Sequence, residues 1–142
     1  MIKQLDLSCN KIGDEGAIDL SKNTSITQLH LLSNNIGDEG AKALTINTSI
    51  RELSLFNNPI EDEGAKAFLK NTSIIKLDLN NTKIGKKSEK ALKFREIKIK
   101  RKEILNKLIE TIKINNKITT VFPFPIVGGH IVIHEMITEY IY

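Results

Sequence analysis

The sequence predicts an α/β solenoid of short strand-then-helix units, and three observations carry that prediction. Residues 2–25, 26–49 and 50–73 align without a gap, each opening on Ile2, Ile26 or Ile50 and closing on "NTS". Within each copy the alternation of Leu5-Asp6-Leu7 has the period of a strand with one face buried. After it the phrase "NKIGDEGAIDL" at 10–20 returns as "NNIGDEGAKAL" at 34–44 and "NPIEDEGAKAF" at 58–68, with the apolar spacing of a helix. A fixed period of this size marks stacked units that cannot cover their apolar faces alone.

Taken along the chain, the strand of the first copy ends at Asn10, where a turn begins. Asp14 stands where a helix N-cap is expected, and Glu15 follows in the first turn, where its charge suits the helix dipole. Ala17 and Leu20 lie three apart on the inward face, and Gly16 permits close backbone approach. Asn23, tolerant of left-handed geometry, ends the helix. The second and third copies repeat this grammar.

The fourth copy, 74–93, keeps Ile74, Leu77, Leu79, Ile84, Ala91 and Leu92 in step but lacks the "NTS" turn, which leaves it four residues short. Resetting the register at Phe94 gives an expected fifth copy, 94–117. Phe94, Ile97 and Ile99 then fall on strand positions, Ile109 and Ile112 on the helix face, and Asn115 on the turn. Repeats are thus expected over 2–117. Residues 118–142 form a terminal strand and tail expected to cover the last copy's open edge.

The pattern L-x-x-L-x-L-x-x-N followed by "IGDEGAKAL" resembles the leucine-rich repeat family, in particular the ribonuclease-inhibitor-like repeats of NOD-like receptors and the shorter arrays of microbes. The resemblance covers residues 2–85 most fully, weakens over 86–118 and stops there. It implies a short curved horseshoe with a parallel sheet on the concave side and helices on the convex side. Asn10, Asn34 and Asn58 match the family's structural asparagine, whose side chain bonds backbone of adjacent turns; Thr82 and Lys102 depart from it. The implied function is binding a protein partner through the concave face, and the implied setting includes effector-like delivery by a microbe into a host cell.

The strand side chains flanking the buried leucines supply the candidate site: Asp6, then Gln28, His30 and Leu32, then Glu52, Ser54 and Phe56, then Lys76 and Asp78. Gln4, Ser8 and Asn80 share these outward positions, as would Glu96, Lys98 and Lys100 of a fifth strand. Most are polar, as exposed residues should be. Leu32 and Phe56 are not, and neighbouring strands would hold them about 5 Å apart. An apolar pair beside His30 and Glu52 has the makings of a hot spot for a protein partner.

Charge is uneven, with Lys and Arg numbering 9 against 11 acids in 1–85, 12 against 4 in 86–117, and 0 against 2 in 118–142. The basic segment supplies an alternative function, a peripheral module docking on nucleic acid or an anionic membrane. Leu105, Leu108, Ile109 and Ile112, however, form a core stripe, four glutamates are interspersed, and Phe94 alone among the segment's residues is aromatic, which gives no aromatic interleaving for base stacking. A third alternative is a remnant of a longer repeat array, since the chain opens inside the repeat grammar.

Catalysis, cofactor and metal find no support. "HIVIHE", with His130, His134 and Glu135, matches neither zincin order. Cys9 is the single cysteine, without zinc-spaced partners, and is expected to be structural in a reducing compartment. The first residues lack the apolar core of a Sec signal peptide, so a cytoplasmic protein, or one delivered without such a signal, is expected. The apolar run from Ile118 to His134 is shorter than the roughly 20 residues of a membrane helix and is broken by Pro123, Pro125, Gly128 and Gly129. The Asn-x-Ser/Thr triplets at Asn23, Asn47 and Asn71 share one repeat position and are expected to serve turns. No segment resembling a cap precedes Ile2, so Leu5, Leu7, Ile12 and Leu20 should leave the first copy's interior open, with self-association through residues 2–20.

Overall fold

Strand and helix alternate four times. In order come β1 (Gln4–Asp6), α1 (Gly13–Ser21), β2 (Gln28–His30), α2 (Asp38–Leu44), β3 (Glu52–Ser54), α3 (Asp62–Ala67, tightening into a 3-10 turn over Phe68–Lys70), β4 (Lys76–Asp78) and α4 (Lys86–Ile118). This computed structural model describes residues 2–118, with side chains as far as Lys113. The chain divides into two compact units, 1–104 and 105–142; within the second, the described residues continue α4.

The four strands form one parallel sheet in the order β1-β2-β3-β4. Gln4 pairs with Gln28, Gln28 with Glu52 and Glu52 with Lys76, so the 24-residue period is the register of the sheet. Leu29, Leu31, Leu53 and Leu55 point into the core with Ile36, Ile60, Leu44, Phe68, Ala17, Ala41 and Ala65, all 0–2 % exposed. Each large side chain contributes about 1.5–3 kcal/mol on burial. At the two ends of the sheet the equivalent Leu5, Leu7, Ile12, Leu20, Leu77, Ile84 and Leu92 are only partly buried, because each has a neighbouring copy on one side alone. These are the parallel sheet, helices and stacked repeats of the α/β solenoid that the sequence predicts.

Three side-chain ladders run from copy to copy. In the first, the Nδ2 of Asn34 donates to the Leu7 carbonyl at 2.9 Å, and that of Asn58 donates to Leu31 at 2.8 Å. The Oδ1 of Asn58 accepts from the amides of Asn34 and Ile36 at 3.0 and 2.9 Å. Thr82, at the next position, donates only to its own Leu79 carbonyl, and the ladder stops.

The second ladder uses the sequon asparagines. The Oδ1 of Asn47 accepts from the amides of Ser49 and Ile50, closing the turn, while its Nδ2 donates to the Ser21 carbonyl at 2.9 Å. Asn71 does the same for its own turn and reaches the Thr45 carbonyl. Both are buried, in keeping with a structural role.

The third corrects the expected N-cap. Asp14 makes no cap bond at the start of its own helix, where Ile12 holds the cap position. Its Oδ1 accepts instead from the amides of Gly37 and Gly40 in the next copy, at 2.7 and 2.9 Å. Asp38 accepts from Glu61 at 2.7 Å and Asp62 from Gly85 at 2.9 Å. α2, α3 and α4 are each capped by the carboxylate of the copy before them, where orphan amides and the dipole favour negative charge. This explains the glycine of "DEG": a Cβ at Gly64 would stand 2.6 Å from Asp38 Oδ1 and 2.9 Å from its Cα, so the side chain is forfeited to let the carboxylate in.

In the fourth copy Lys86 occupies the aspartate position and Ser88 the glycine position. The Ser88 hydroxyl beside Asp62, with the Gly85 amide, holds the Asp62 carboxyl below the usual carboxylate range. A depressed folded-state pKa contributes stability that is present above the unfolded value and lost as pH falls through the folded one. Ser88→Ala should therefore lessen acid sensitivity between about pH 4 and lower values, where Asp normally titrates. Denaturant titrations of both proteins at pH 7 and pH 3 check this, the difference between them shrinking at the lower pH.

The expected fifth copy is not a repeat strand followed by a turn. Residues 86–118 form one helix, so Phe94, Ile97 and Ile99 lie on α4, as do Glu96, Lys98 and Lys100, and Ile118, the last described residue, is still on that helix and does not open a sixth strand. Leu108 is 54 % exposed and so leaves the expected core stripe, while Leu105, Ile109 and Ile112 are half-buried. Without the "NTS" turn nothing in the sequence stops the helix, and its residues are mostly strong helix formers. Arg95, 24 residues after Asn71, takes the turn position that the reset register had hidden. Its guanidinium, 9 % exposed, donates to the carbonyls of Asn71 at 2.7 Å and Ile74 at 2.6 Å. The expected strand and tail at 119–142 lie outside the described residues, as do His130, His134 and Glu135.

Candidate binding surface

Because side chains alternate across a strand, the residues between the buried leucines stand on the opposite face of the sheet. The parallel register sorts them into rows. Gln4, Gln28, Glu52 and Lys76 form one; Asp6, His30, Ser54 and Asp78 form the next. The third continues beyond the strand ends, where the amides of Cys9, Ser33 and Asn57 donate to the carbonyls of Leu32, Phe56 and Asn80 at 2.7–3.0 Å. It holds Ser8, Leu32, Phe56 and Asn80. The structure thus brings together Asp6, Gln28, His30, Leu32, Glu52, Ser54, Phe56, Lys76 and Asp78 on one face.

Cys9, Ser33, Asn57 and Asn81, the residues that follow this row, all have φ between 53° and 58°. This left-handed step turns each strand toward its helix and fixes the edge of the face. The Asn57 Nδ2 donates to the Ser33 hydroxyl at 2.7 Å and Asn81 Nδ2 to Asn57 Oδ1 at 2.5 Å, tying the turns together. Cys9 is exposed at the start of this column rather than packed in the core.

Electrostatically the face is mixed. Lys76 Nζ meets Glu52 Oε1 at 2.8 Å in a solvent-screened pair worth at most about 1 kcal/mol. The Ser8 hydroxyl, then the Ser8 amide and the nearby His30, hold the Asp6 carboxyl below its usual range. The Ser8 bonds to Asp6 Oδ1 measure 2.6 and 2.9 Å. Asp78 turns its carboxylate onto Asn80, whose amide and Nδ2 both donate to it. The charged groups are therefore committed to neighbours, and Leu32 and Phe56, both half-buried, make the apolar centre between them.

The basic segment is less of a field than its composition implies. Glu89, Glu96 and Glu110 each pair with a lysine one helical turn on, at 2.6–2.9 Å. Among the described residues no group of three or more His, Cys, Asp or Glu could hold a metal ion, and no helix is long and apolar enough to cross a membrane.

The sequence could have revealed one feature that local inspection missed. Asp14 lies 23 residues from Gly37, so its partner falls outside any window used to judge a cap, yet the period of 24 stacks Gly37 on Gly13, the immediate neighbour of Asp14.

No curated protein matches the chain. The family model described as Leucine Rich repeat matches three consecutive stretches, residues 1–21, 22–44 and 47–69, which hold β1 to α3. Such repeats are in general protein-interaction modules. The matched stretches are those that build the register, the leucine core and the asparagine ladder described above, and on that ground residues 1–69 are leucine-rich repeats.

Proposed function

We propose that the protein binds a protein partner across the outward face of β1 to β4, with Leu32 and Phe56 at the centre of the contact and no catalytic step. The observation that carries this reading is the pair itself. Two large apolar side chains occupy adjacent places in a row whose other members, Ser8 and Asn80, are polar. Around them His30, Ser54, Glu52 and Asp78 supply hydrogen-bonding groups for a rim, the arrangement in which a few apolar anchors dominate affinity. Gln28 and Asp6 extend the rim, and Lys76 closes it. A microbial effector role is compatible with this reading and rests on the family resemblance alone.

Phe56→Ala should weaken partner capture about tenfold or more, a hot-spot loss, while unfolding free energy changes by less than about 1 kcal/mol. Cross-linking capture from the native cell, using the wild type, Phe56→Ala and a control at the equally apolar but distant Phe94, measures this. Equal loss from Phe94→Ala, or a large drop in stability with Phe56→Ala, would remove the assignment. Affinity should depend weakly on salt; a steep dependence would favour the basic segment of α4 and an anionic partner.

A further inference from the structure

Helix α4 has two sides of different use. Ser88 and Arg95 are buried and Leu92 packs against the leucine core, so these three mark the side turned to the four copies. Phe94, Ile97 and Ile104 are instead 63 %, 48 % and 67 % exposed. At 3.6 residues per turn they and Arg101 fall within roughly 80° of arc, on the side opposite Ser88, Leu92 and Arg95. Apolar residues scattered singly over a surface are ordinary. These are not scattered. Positions 94, 97, 101 and 104 step by three, four and three, the alternation of a coiled-coil seam, and Leu108 takes the next place in the sequence.

Writing Phe94 as heptad position a and Ile97 as d puts Arg101 at the second a and Ile104 at the second d. The flanking e and g places decide what such a seam pairs with. Lys93 and Lys100 stand at g and Lys98 at e, so from 93 to 104 every flanking residue is a lysine. Glu89, Glu96 and Glu103 all fall at c, beyond the g lysines. Lys93 and Lys100 reach back to Glu89 and Glu96 at 2.6 Å, in exposed pairs of little worth that a competing carboxylate can replace. Lys87 and Lys90 occupy the preceding a and d, so the apolar run begins at Phe94.

This pattern selects the occupant. A second copy of the chain is refused, because parallel pairing sets Lys93 against Lys98 and antiparallel pairing sets g lysines against g lysines. Covering Arg101 with apolar groups alone would strand its charge, so the residue facing it has to be a carboxylate. A bilayer surface takes a wide apolar face with cations at its margins, whereas this stripe is two positions wide and has an arginine in its middle.

We propose that residues 93–104 of α4 form a docking seam for an acidic amphipathic helix of another protein, with glutamate or aspartate flanking its apolar stripe and one carboxylate facing Arg101. The seam does not depend on the Leu32 and Phe56 face and is a second, separate contact.

Fluorescence anisotropy of labelled peptides titrated with the full chain tests the assignment. The probe is a peptide of about three heptads with isoleucine at a, leucine at d and glutamate at e and g, one a place also being glutamate; its control carries lysine at e and g. The acidic peptide should bind about tenfold or more tighter than the basic one, and Lys98→Glu with Lys100→Glu should reverse that order. Phe94→Ser with Ile104→Ser should abolish binding of the acidic peptide while the unfolding midpoint holds, because both side chains are exposed. Equal or absent binding of the two peptides overturns the proposal, as does binding that survives the serine pair or a midpoint that falls with it. A wild-type dimer dissolved by the serine pair also overturns it, since a second copy would then be the occupant. So does sedimentation with vesicles of about 30 % phosphatidylserine that the same pair abolishes, since the occupant would then be a bilayer.

Discussion

Asn58→Ala is expected to lower unfolding free energy by about 3 kcal/mol or more. Its amide serves the carbonyls of Leu31, Leu55 and Phe56 and accepts from the amides of Asn34 and Ile36, all within 3.2 Å, in a site 3 % exposed. Backbone groups left without partners there cost about 1–3 kcal/mol each, and alanine replaces none of the five bonds. Asn35→Gly is the control: Asn35 is exposed with φ 58°, a conformation glycine adopts freely, so its loss should be small. Guanidinium titration of the three proteins decides it. Equal midpoints would mean that Asn58 does not hold the second and third copies together.

Arg95→Leu is expected to cost about 2–6 kcal/mol, since the carbonyls of Asn71 and Ile74 lose their donor at about 1–3 kcal/mol each. Burial lowers the guanidinium pKa from its ordinary value, opposed by Glu96, but the group remains charged at neutral pH. Arg95→Lys should recover only part of the loss, because one ammonium cannot reproduce the planar fork that now meets both carbonyls. The reading is checked by hydrogen exchange around residues 71–75. Protection there should fall with leucine and fall less with lysine. A loss below about 1 kcal/mol with unchanged protection would show that water replaces the arginine without penalty.

The sheet and its register were legible because the signal repeats: a leucine at every second residue, returning every 24, allows only one alignment of copies. The outward rows followed directly, since strand geometry determines which face each residue takes. Asp14 was misread because its spacing to the helix fits a local cap equally well, and only the three-dimensional stacking reveals that the nearer amides belong to the next copy. Phe94 to Ile99 misled for a different reason. These three apolar residues match the L-x-x-L-x-L spacing of the repeat strand, but they sit in a run of lysine, leucine and glutamate without a glycine or proline before Asn115. Helix propensity summed over that length, with Glu-to-Lys pairs along it, outweighs three positions of alternation. Phe94, Ile97 and Ile104 are left 48–67 % exposed as a result. How much of the outward face contacts a partner was not legible, because a binding surface adds no periodicity of its own.

The carboxylate ladder also gives the chain a direction in time. Asp14 is synthesised before the amides it caps, Asp38 before Glu61, and Asp62 before Gly85, so α2, α3 and α4 each meet a ready-made cap as they leave the ribosome. Order should therefore spread from the first copy to the fourth during synthesis. After denaturation, when all copies are released together, it has no such lead. Pulse-labelled exchange of nascent and refolding chains would separate the two cases. The amides of Gly37, Glu61 and Gly85 should gain protection in sequence in the first and together in the second.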